Sequence, residues 1–284
     1  MWNAETVRRL HDWYATPEGE YALSQENSLF QRLVSQWPRR GKTLLDVGCG
    51  AGVFLEMLWH YGFDVTGFDT SPELIEAARE RMGNRADFQL GKSDYLPFDD
   101  KEFDYVSLLS LLEYVENPED VLAEAFRVAS RGVIIGTMNS FSLYHATSLL
   151  RRTPPQPGHH VRRMNFWSLS RLIRRLCPSG RIAARSVLLG PSSTWRKKGF
   201  WGRANAVQTA LPIGAYLGVC VDTQARLPLT PLLLRAKAKA YKVCSGLQPG
   251  RCRAAPASLS AAHKKIPQTD SLGDKILKSE KTTS

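Results

Sequence analysis

The stretch Leu44–Phe54 reads LLDVGCGAGVF, and its residue types could do chemistry. An apolar run ends on Asp46 and Val47. Three glycines follow at alternate positions, Gly48, Gly50 and Gly52, and a helical pattern begins at Val53. Glycines let a chain turn tightly and let a ligand lie against main-chain N–H groups. Seventeen residues beyond Gly52, Asp69 closes a second apolar run. A carboxylate there can accept hydrogen bonds from both hydroxyls of a ribose, so the pattern suits a ligand that contains a nucleoside. A dinucleotide fingerprint would be G-x-G-x-x-G, with a pyrophosphate at the helix N-terminus. Here the spacing is G-x-G-x-G, and Asp46 would repel a pyrophosphate. The same carboxylate would attract an ammonium or a sulfonium. Charge therefore favours S-adenosyl-L-methionine over a nicotinamide dinucleotide.

The elements that must hold these residues alternate along the chain. Thr43–Val47 reads as a buried strand, Val53–Tyr61 as a helix ending at Gly62, and Phe63–Phe68 as a second strand. Ser71 followed by Pro72 is a helix start, because serine caps and proline suits the first turn, and that helix ends at Gly83. Phe88–Leu90, Phe103–Leu109 and Gly132–Gly136 read as further strands, with a helix from Asn117-Pro118 through Val128. Strands alternating with helices over some hundred residues predict βαβ units, a parallel sheet and helices on both faces. Beyond Asn139 the rhythm changes to a helix over Ser168–Leu176 and strands over Arg181–Leu189 and Gly214–Asp222.

In these blocks the chain resembles the class I S-adenosylmethionine-dependent methyltransferases, in particular their type-11-like branch. LLDVGCGAG is similar to the family's first motif and VTGFDTSPELIEAAR to its second; GKSDYLPFDDKEFDYV and LLEYVENPEDVLAEAFRVA are similar to the segments around the fourth strand. The resemblance covers roughly residues 10–223. It implies an α/β fold: a Rossmann-like open sheet of about seven strands, mostly parallel with an antiparallel last strand. It implies a methyl transfer by direct displacement, with S-adenosyl-L-methionine as cofactor and no metal.

By the same resemblance, Gly48, Cys49 and Gly50 approach the methionine part of the cofactor, with Asp46 near its amino group. Asp69 takes the ribose, Thr70 flanks the adenine, Ser93 and Asp94 lie along the adenine edge, and the backbone of Leu109 meets the ammonium. Cys49 also reads as a small buried filler within the turn. Lys92 stands where relatives often carry an acid, and Ser130-Arg131-Gly132 replaces the usual turn before the fifth strand. Trp13, Tyr14 and Tyr21 belong to an N-terminal helical cap, residues 1–40, that closes over the cofactor or packs on the domain edge. The methyltransferase domain then spans 41–223, with a basic acceptor lid at about 140–165, and a largely disordered basic tail spans 224–284. Tyr144, His145, His159 and His160, in the lid stretch, are candidate bases for an acceptor hydroxyl, against a surface or packing role that is the first reading for each histidine. Glu113 and Tyr114 fall near the cofactor mouth by topology, where helix-start packing also accounts for them.

Charge narrows the acceptor. Residues 1–140 hold 13 basic and 23 acidic residues, whereas 141–225 hold 13 basic residues and a single acid, Asp222. Arg151, Arg152, Arg162 and Arg163 flank the lid. A solvated arginine-rich surface is one reading; the other is a face toward something anionic. The expected acceptor is a small molecule or lipid-like, anionic compound, and peripheral contact with an anionic lipid surface follows from the same run. The alternatives are an RNA methyltransferase that sets its basic lobe and tail on phosphates, or a cofactor-binding scaffold without turnover. Against RNA, Ser107-Leu108-Leu109-Ser110 stands where base-amino methylating enzymes carry an N-P-P-Y-type motif. No run of 18 clean apolar residues suggests a transmembrane span. Five cysteines, none in a C-x-x-C spacing, argue against a disulfide framework or zinc site and for a reducing cytoplasm.

Overall fold

Seven strands form one sheet in the order β3-β2-β1-β4-β5-β7-β6. The computed structural model describes residues 12–150 and 164–224. All of them fall in the first of two units, residues 1–227 and 228–284. The strands are β1 (Thr43–Val47), β2 (Asp64–Asp69), β3 (Ala86–Leu90), β4 (Phe103–Leu109), β5 (Ala129–Met138), β6 (Arg181–Val187) and β7 (Tyr216–Asp222). β1 through β5 pair in parallel, and β7 runs antiparallel between β5 and β6. This is the expected sheet, antiparallel last strand included. Among the described residues, no helix is long and apolar enough to cross a membrane.

Local signals explain most boundaries. Helix α1 is Pro17–Leu33, α2 is Val53–His60, α3 is Pro72–Met82 and α4 is Pro118–Val128. Helix α5 is Leu143–Leu150, α6 is Phe166–Leu176 and α7 is Gly199–Asn205. Ser71 Oγ accepts from Leu74 N at 3.3 Å and Pro72 fills the first turn, so α3 starts where the sequence marks it. Asn165 and Ser168 cap α6 reciprocally, with Asn165 Oδ1 accepting from Ser168 N at 2.9 Å.

The apolar faces divide into two layers. Tyr21, Leu29, Phe30 and Leu33 of α1 join Leu55 and Leu58 of α2 and Met82 of α3 on one face of the sheet. Leu122 and Ala125 of α4 join Leu169 and Ile173 of α6 on the other. Two glycines let α1 sit close. A Cβ on Gly218 would lie 2.6 Å from Leu33 Cδ1, and one on Gly136 would lie 2.6 Å from Phe30 Cζ. The α1 helix thus contributes to the main core.

β5 departs from the expectation. It begins at Ala129, directly after α4, so Ser130-Arg131-Gly132 is strand and not a turn. Arg131 Nε donates to Asp104 Oδ1 at 2.6 Å, a bond that ties the start of β5 to the start of β4. Gly132 leaves room for Trp37, whose ring would stand 2.7 Å from an added Cβ.

Candidate functional site

The loop after β1 is shaped by backbone geometry that favours glycine. Gly48, Gly50 and Gly52 have φ of 73°, 53° and 79°, in the left-handed region. Gly48 N and Cys49 N both donate to Phe68 O, at 2.7 and 3.1 Å, which folds the bend onto the end of β2. A Cβ on Gly48 would lie 2.6 Å from Leu111 Cδ1, whereas one on Gly50 would meet no atom within 4 Å. Gly50 therefore faces open space at the C-terminal edge of the parallel strands, where open α/β sheets take their ligands.

Asp69, 7% exposed, braces this bend. Its Oδ2 accepts from Gly50 N and its Oδ1 from Ser71 N, both at 3.0 Å. Each oxygen keeps a further lone pair for a ligand hydroxyl. Burial raises the Asp69 pKa, and those backbone N–H groups oppose the rise.

Asp46 lies in register with Gly67 of β2 and Ser107 of β4, in the middle of the sheet. It is 1% exposed. Its Oδ1 accepts from Ser107 Oγ at 2.6 Å, while Oδ2 is buried with no hydrogen-bond partner. Burial pushes its pKa up to about 7; the Ser107 bond lowers it and the Asp69 charge raises it. A buried carboxylate oxygen without a donor costs about 1–3 kcal/mol or more, a cost that a cationic N–H donor would remove.

A second group of acids gathers where α1 meets the ends of β4 and β5. Glu113 Oε1 accepts from Met138 N at 2.5 Å, and its Oε2 is buried without a partner. Glu26 of α1 is also buried, and burial with the neighbouring Glu113 charge pushes its pKa up to about 8. Tyr14 and Tyr114 belong to the same neighbourhood: burial raises both phenols, with Glu26 acting on Tyr14 and Glu113 on Tyr114. Ser110, at φ 55°, holds its Oγ 2.8 Å from the hydroxyl of buried Tyr216. A non-glycine residue in this region is uncommon; among the described residues Lys101 and Leu188 share it.

Several of the expected site residues lie at or next to the bend. Asp46, Gly48, Gly50 and Asp69 surround the bend, and Thr70 follows it, exposed. Ser93, half-buried, and Asp94, exposed, lie in the loop after β3. Leu109 is buried at the end of β4. Cys49 turns its side chain inward: its Sγ would lie 3.0 Å from a Cβ on Gly67, so only its backbone faces the bend. Its burial raises the thiol pKa.

The N-terminal aromatics separate. Tyr14 stands by the acids, but Tyr21 is buried and donates to Gly202 O at 2.6 Å, away from any covering role. Tyr144 stacks on Trp195, with centroids 5.1 Å apart. His145 is half-buried in α5, its backbone N donating to Ser142 Oγ at 3.2 Å. His159, His160, Arg151, Arg152, Arg162 and Arg163 lie outside the described residues, as does the tail beyond 224. Sequence reading missed Glu26, Ser110 and Tyr216. Among the described residues, no group of three or more His, Cys, Asp or Glu side chains could hold a metal ion.

Comparison with known proteins agrees with this geometry. Residues 45–136 match the methyltransferase domain family. The chain is 34% identical over 137 residues to a ubiquinone biosynthesis O-methyltransferase of Thiobacillus denitrificans, a match covering 45% of this chain and 59% of that protein. It is 30% identical over 146 residues to the protein of the same name from Azoarcus sp., covering 47% and 63%. The chain thus spans about 60% of the length of the curated relatives it matches. Among solved structures, it shares its fold with a Thermotoga maritima methyltransferase described as a possible histamine N-methyltransferase (TM-score 0.61, 18% identity, 78% of this chain and 97% of that one). It also shares it with the magnesium protoporphyrin IX methyltransferase of Synechocystis, solved with bound SAH (TM-score 0.58, 16% identity, 78% and 96%). Residues 45–136 thus carry a methyltransferase domain, set in a sheet of the fold that these solved methyltransferases share.

Proposed function

We propose that the chain transfers a methyl group from S-adenosyl-L-methionine to a small, lipid-like, anionic acceptor. One observation carries the cofactor half: the unpartnered, buried Asp46 Oδ2 beside the open cradle at Gly50. A cationic amino group fits the first, and a backbone-hugging ligand fits the second. When bound, the cofactor supplies an electrophilic methyl group on a positively charged sulfur.

The chain's own residues would then divide the work. Asp46 receives the amino group, and Asp69 receives the ribose hydroxyls on the lone pairs left by Gly50 N and Ser71 N. Thr70, Ser93 and Asp94 border the adenine, the Leu109 backbone borders the amino acid end, and Tyr14 covers the bend. Displacement at carbon needs alignment and exclusion of water more than a dedicated base, and proximity supplies about 7–11 kcal/mol of such a barrier. An acceptor hydroxyl must also lose a proton. On this reading Glu113, whose buried Oε2 has no hydrogen-bond partner and whose charge acts on Glu26, takes that proton. The ubiquinone methyltransferases among the relatives, and the carboxylate-free run from Ser140 to Val221, support the acceptor class.

Two measurements test this reading. S-adenosylhomocysteine should raise the melting temperature by mass action, and NADH should not. Labelled methyl groups offered with a mixed pool of lipids, phenols and RNA should appear in the small-molecule or lipid fraction. Label in RNA would move the assignment to nucleic acid, and cofactor binding without label transfer would leave a scaffold.

A further inference from the structure

We propose that the surface built by the start of α6 and the loops 139–143 and 211–214 docks onto an anionic phospholipid bilayer. The inference goes beyond the methyl-transfer reading. Twelve large hydrophobic side chains are exposed among the described residues, and eight of them fall between 141 and 213. That stretch belongs to the segment Ser140–Val221, which contains no carboxylate. Apolar exposure and positive charge thus coincide in one part of the chain.

Contacts join the pieces. The Phe141 ring meets the Trp167 ring edge-on, with centroids 5.3 Å apart. The buried Asn139 amide donates to Phe141 O at 3.1 Å, Pro212 O at 2.8 Å and Gly214 O at 2.9 Å, so the two loops are clamped side by side. Phe141 is 63% exposed, Leu143 57%, Trp167 53% and Leu211 62%. Along α6, Trp167, Arg171 and Arg174 follow at four- and three-residue steps, which puts them on one stripe of the helix. They line a shallow groove with Phe166 and Ile182. Arg175, one position on, pairs with Glu119 at 3.0 Å, whereas Arg171 and Arg174 form no ion pair among the described residues.

This chemistry selects one partner. Exposed rings and aliphatic chains held beside the Arg171 and Arg174 guanidinium groups match the headgroup–acyl boundary of a membrane with anionic lipid. Tryptophan is at home at that boundary, and arginine reaches phosphate from it. RNA would use the arginines and could stack on rings, but it gains nothing from Leu143 and Leu211.

Flotation of the full chain with vesicles tests the proposal. The protein should float with mixed phosphatidylglycerol–phosphatidylcholine vesicles and stay behind with phosphatidylcholine alone. The double substitution Phe141→Ser with Trp167→Ser should weaken partitioning about tenfold or more. Arg171→Glu with Arg174→Glu should weaken it on anionic vesicles only. Both variants should keep the wild-type melting temperature and its rise with S-adenosylhomocysteine, so loss of vesicle binding is separable from loss of the fold or of the cofactor site. Three results would overturn the proposal: wild-type protein that does not float, an aromatic variant that floats as well as wild type, or binding to single-stranded RNA that vesicles do not compete away. The second would assign the attraction to basic residues elsewhere in the chain.

Discussion

If Asp46 receives the cofactor's amino group as proposed, cofactor binding depends on pH, and the burial of its carboxyl gives the direction. Burial lifts this carboxyl from its ordinary 3.8 to about 7, with Ser107 lowering it and Asp69 raising it. At pH 6 about one tenth of the ligand-free protein carries the charge, and at pH 8 about nine tenths does. A ligand whose ammonium needs the carboxylate binds only the ionised fraction, so apparent affinity scales with that fraction. The affinity for S-adenosylhomocysteine should therefore be about tenfold weaker at pH 6 than at pH 8. Binding at pH 6 should release close to one proton, read calorimetrically from buffers of different ionisation enthalpy. Asp46→Asn should flatten the profile and abolish the proton release. At pH 8 it should bind about 10- to 150-fold more weakly than wild type, the equivalent of about 1.5–3 kcal/mol for a charged hydrogen bond. Glu26 titrates near the same range and Glu113 is also raised, which is why the Asn variant is the deciding control. Equal affinity at pH 6 and pH 8 in the wild type, or a slope that survives in Asp46→Asn, would refute the pairing of Asp46 with the amino group.

Two further outcomes follow from the same geometry. The Glu26 carboxyl is raised from 4.5 to about 8 in the folded protein, so its contribution to stability is complete below about pH 4.5 and is lost as pH rises through 8. Glu26→Gln should match wild type in urea unfolding at pH 5 within ~1 kcal/mol and exceed it by a few kcal/mol at pH 9; parallel pH profiles would count against the buried pair. Gly50→Ala and Gly48→Ala should fail differently. Both incur about 1–2 kcal/mol for a left-handed alanine, but only the Gly48 substituent strikes Leu111, at 2.6 Å. Gly48→Ala should therefore show the larger fall in melting temperature, while Gly50→Ala should keep most of its stability and lose S-adenosylhomocysteine affinity in calorimetry.

The two halves of the site differ in how far the sequence reveals them, and the reason is physical. The cofactor half is built from short-range pieces: the bend at 48–52 carries the glycines, and the turn at 69–71 carries the carboxylate and the cap. The strand before the bend, Thr43–Val47, and the helix Pro72–Met82 begin and end where those local signals stand. The acid half has no such signature. Glu26 shares the helical spacing of Ala22, Leu29, Phe30 and Leu33, but as a carboxylate among Ser24, Gln25, Asn27 and Ser28 it reads as solvated. It is buried because Gly136 and Gly218 admit Phe30 and Leu33 close to the sheet, a consequence of packing between segments more than a hundred residues apart. Ser110 and Tyr216, 106 residues apart, meet only because β7 inserts beside β5. The early start of β5 is likewise set by a distant partner, Asp104 on Arg131. Substitutions that loosen α1 against β5 and β7 should thus disturb the acid group first and leave the glycine bend, held by Phe68 O and Asp69, able to bind its nucleoside. On the proposed reading, the acid group that serves the acceptor depends on tertiary packing, whereas the shape of the glycine bend is written largely in its own residues.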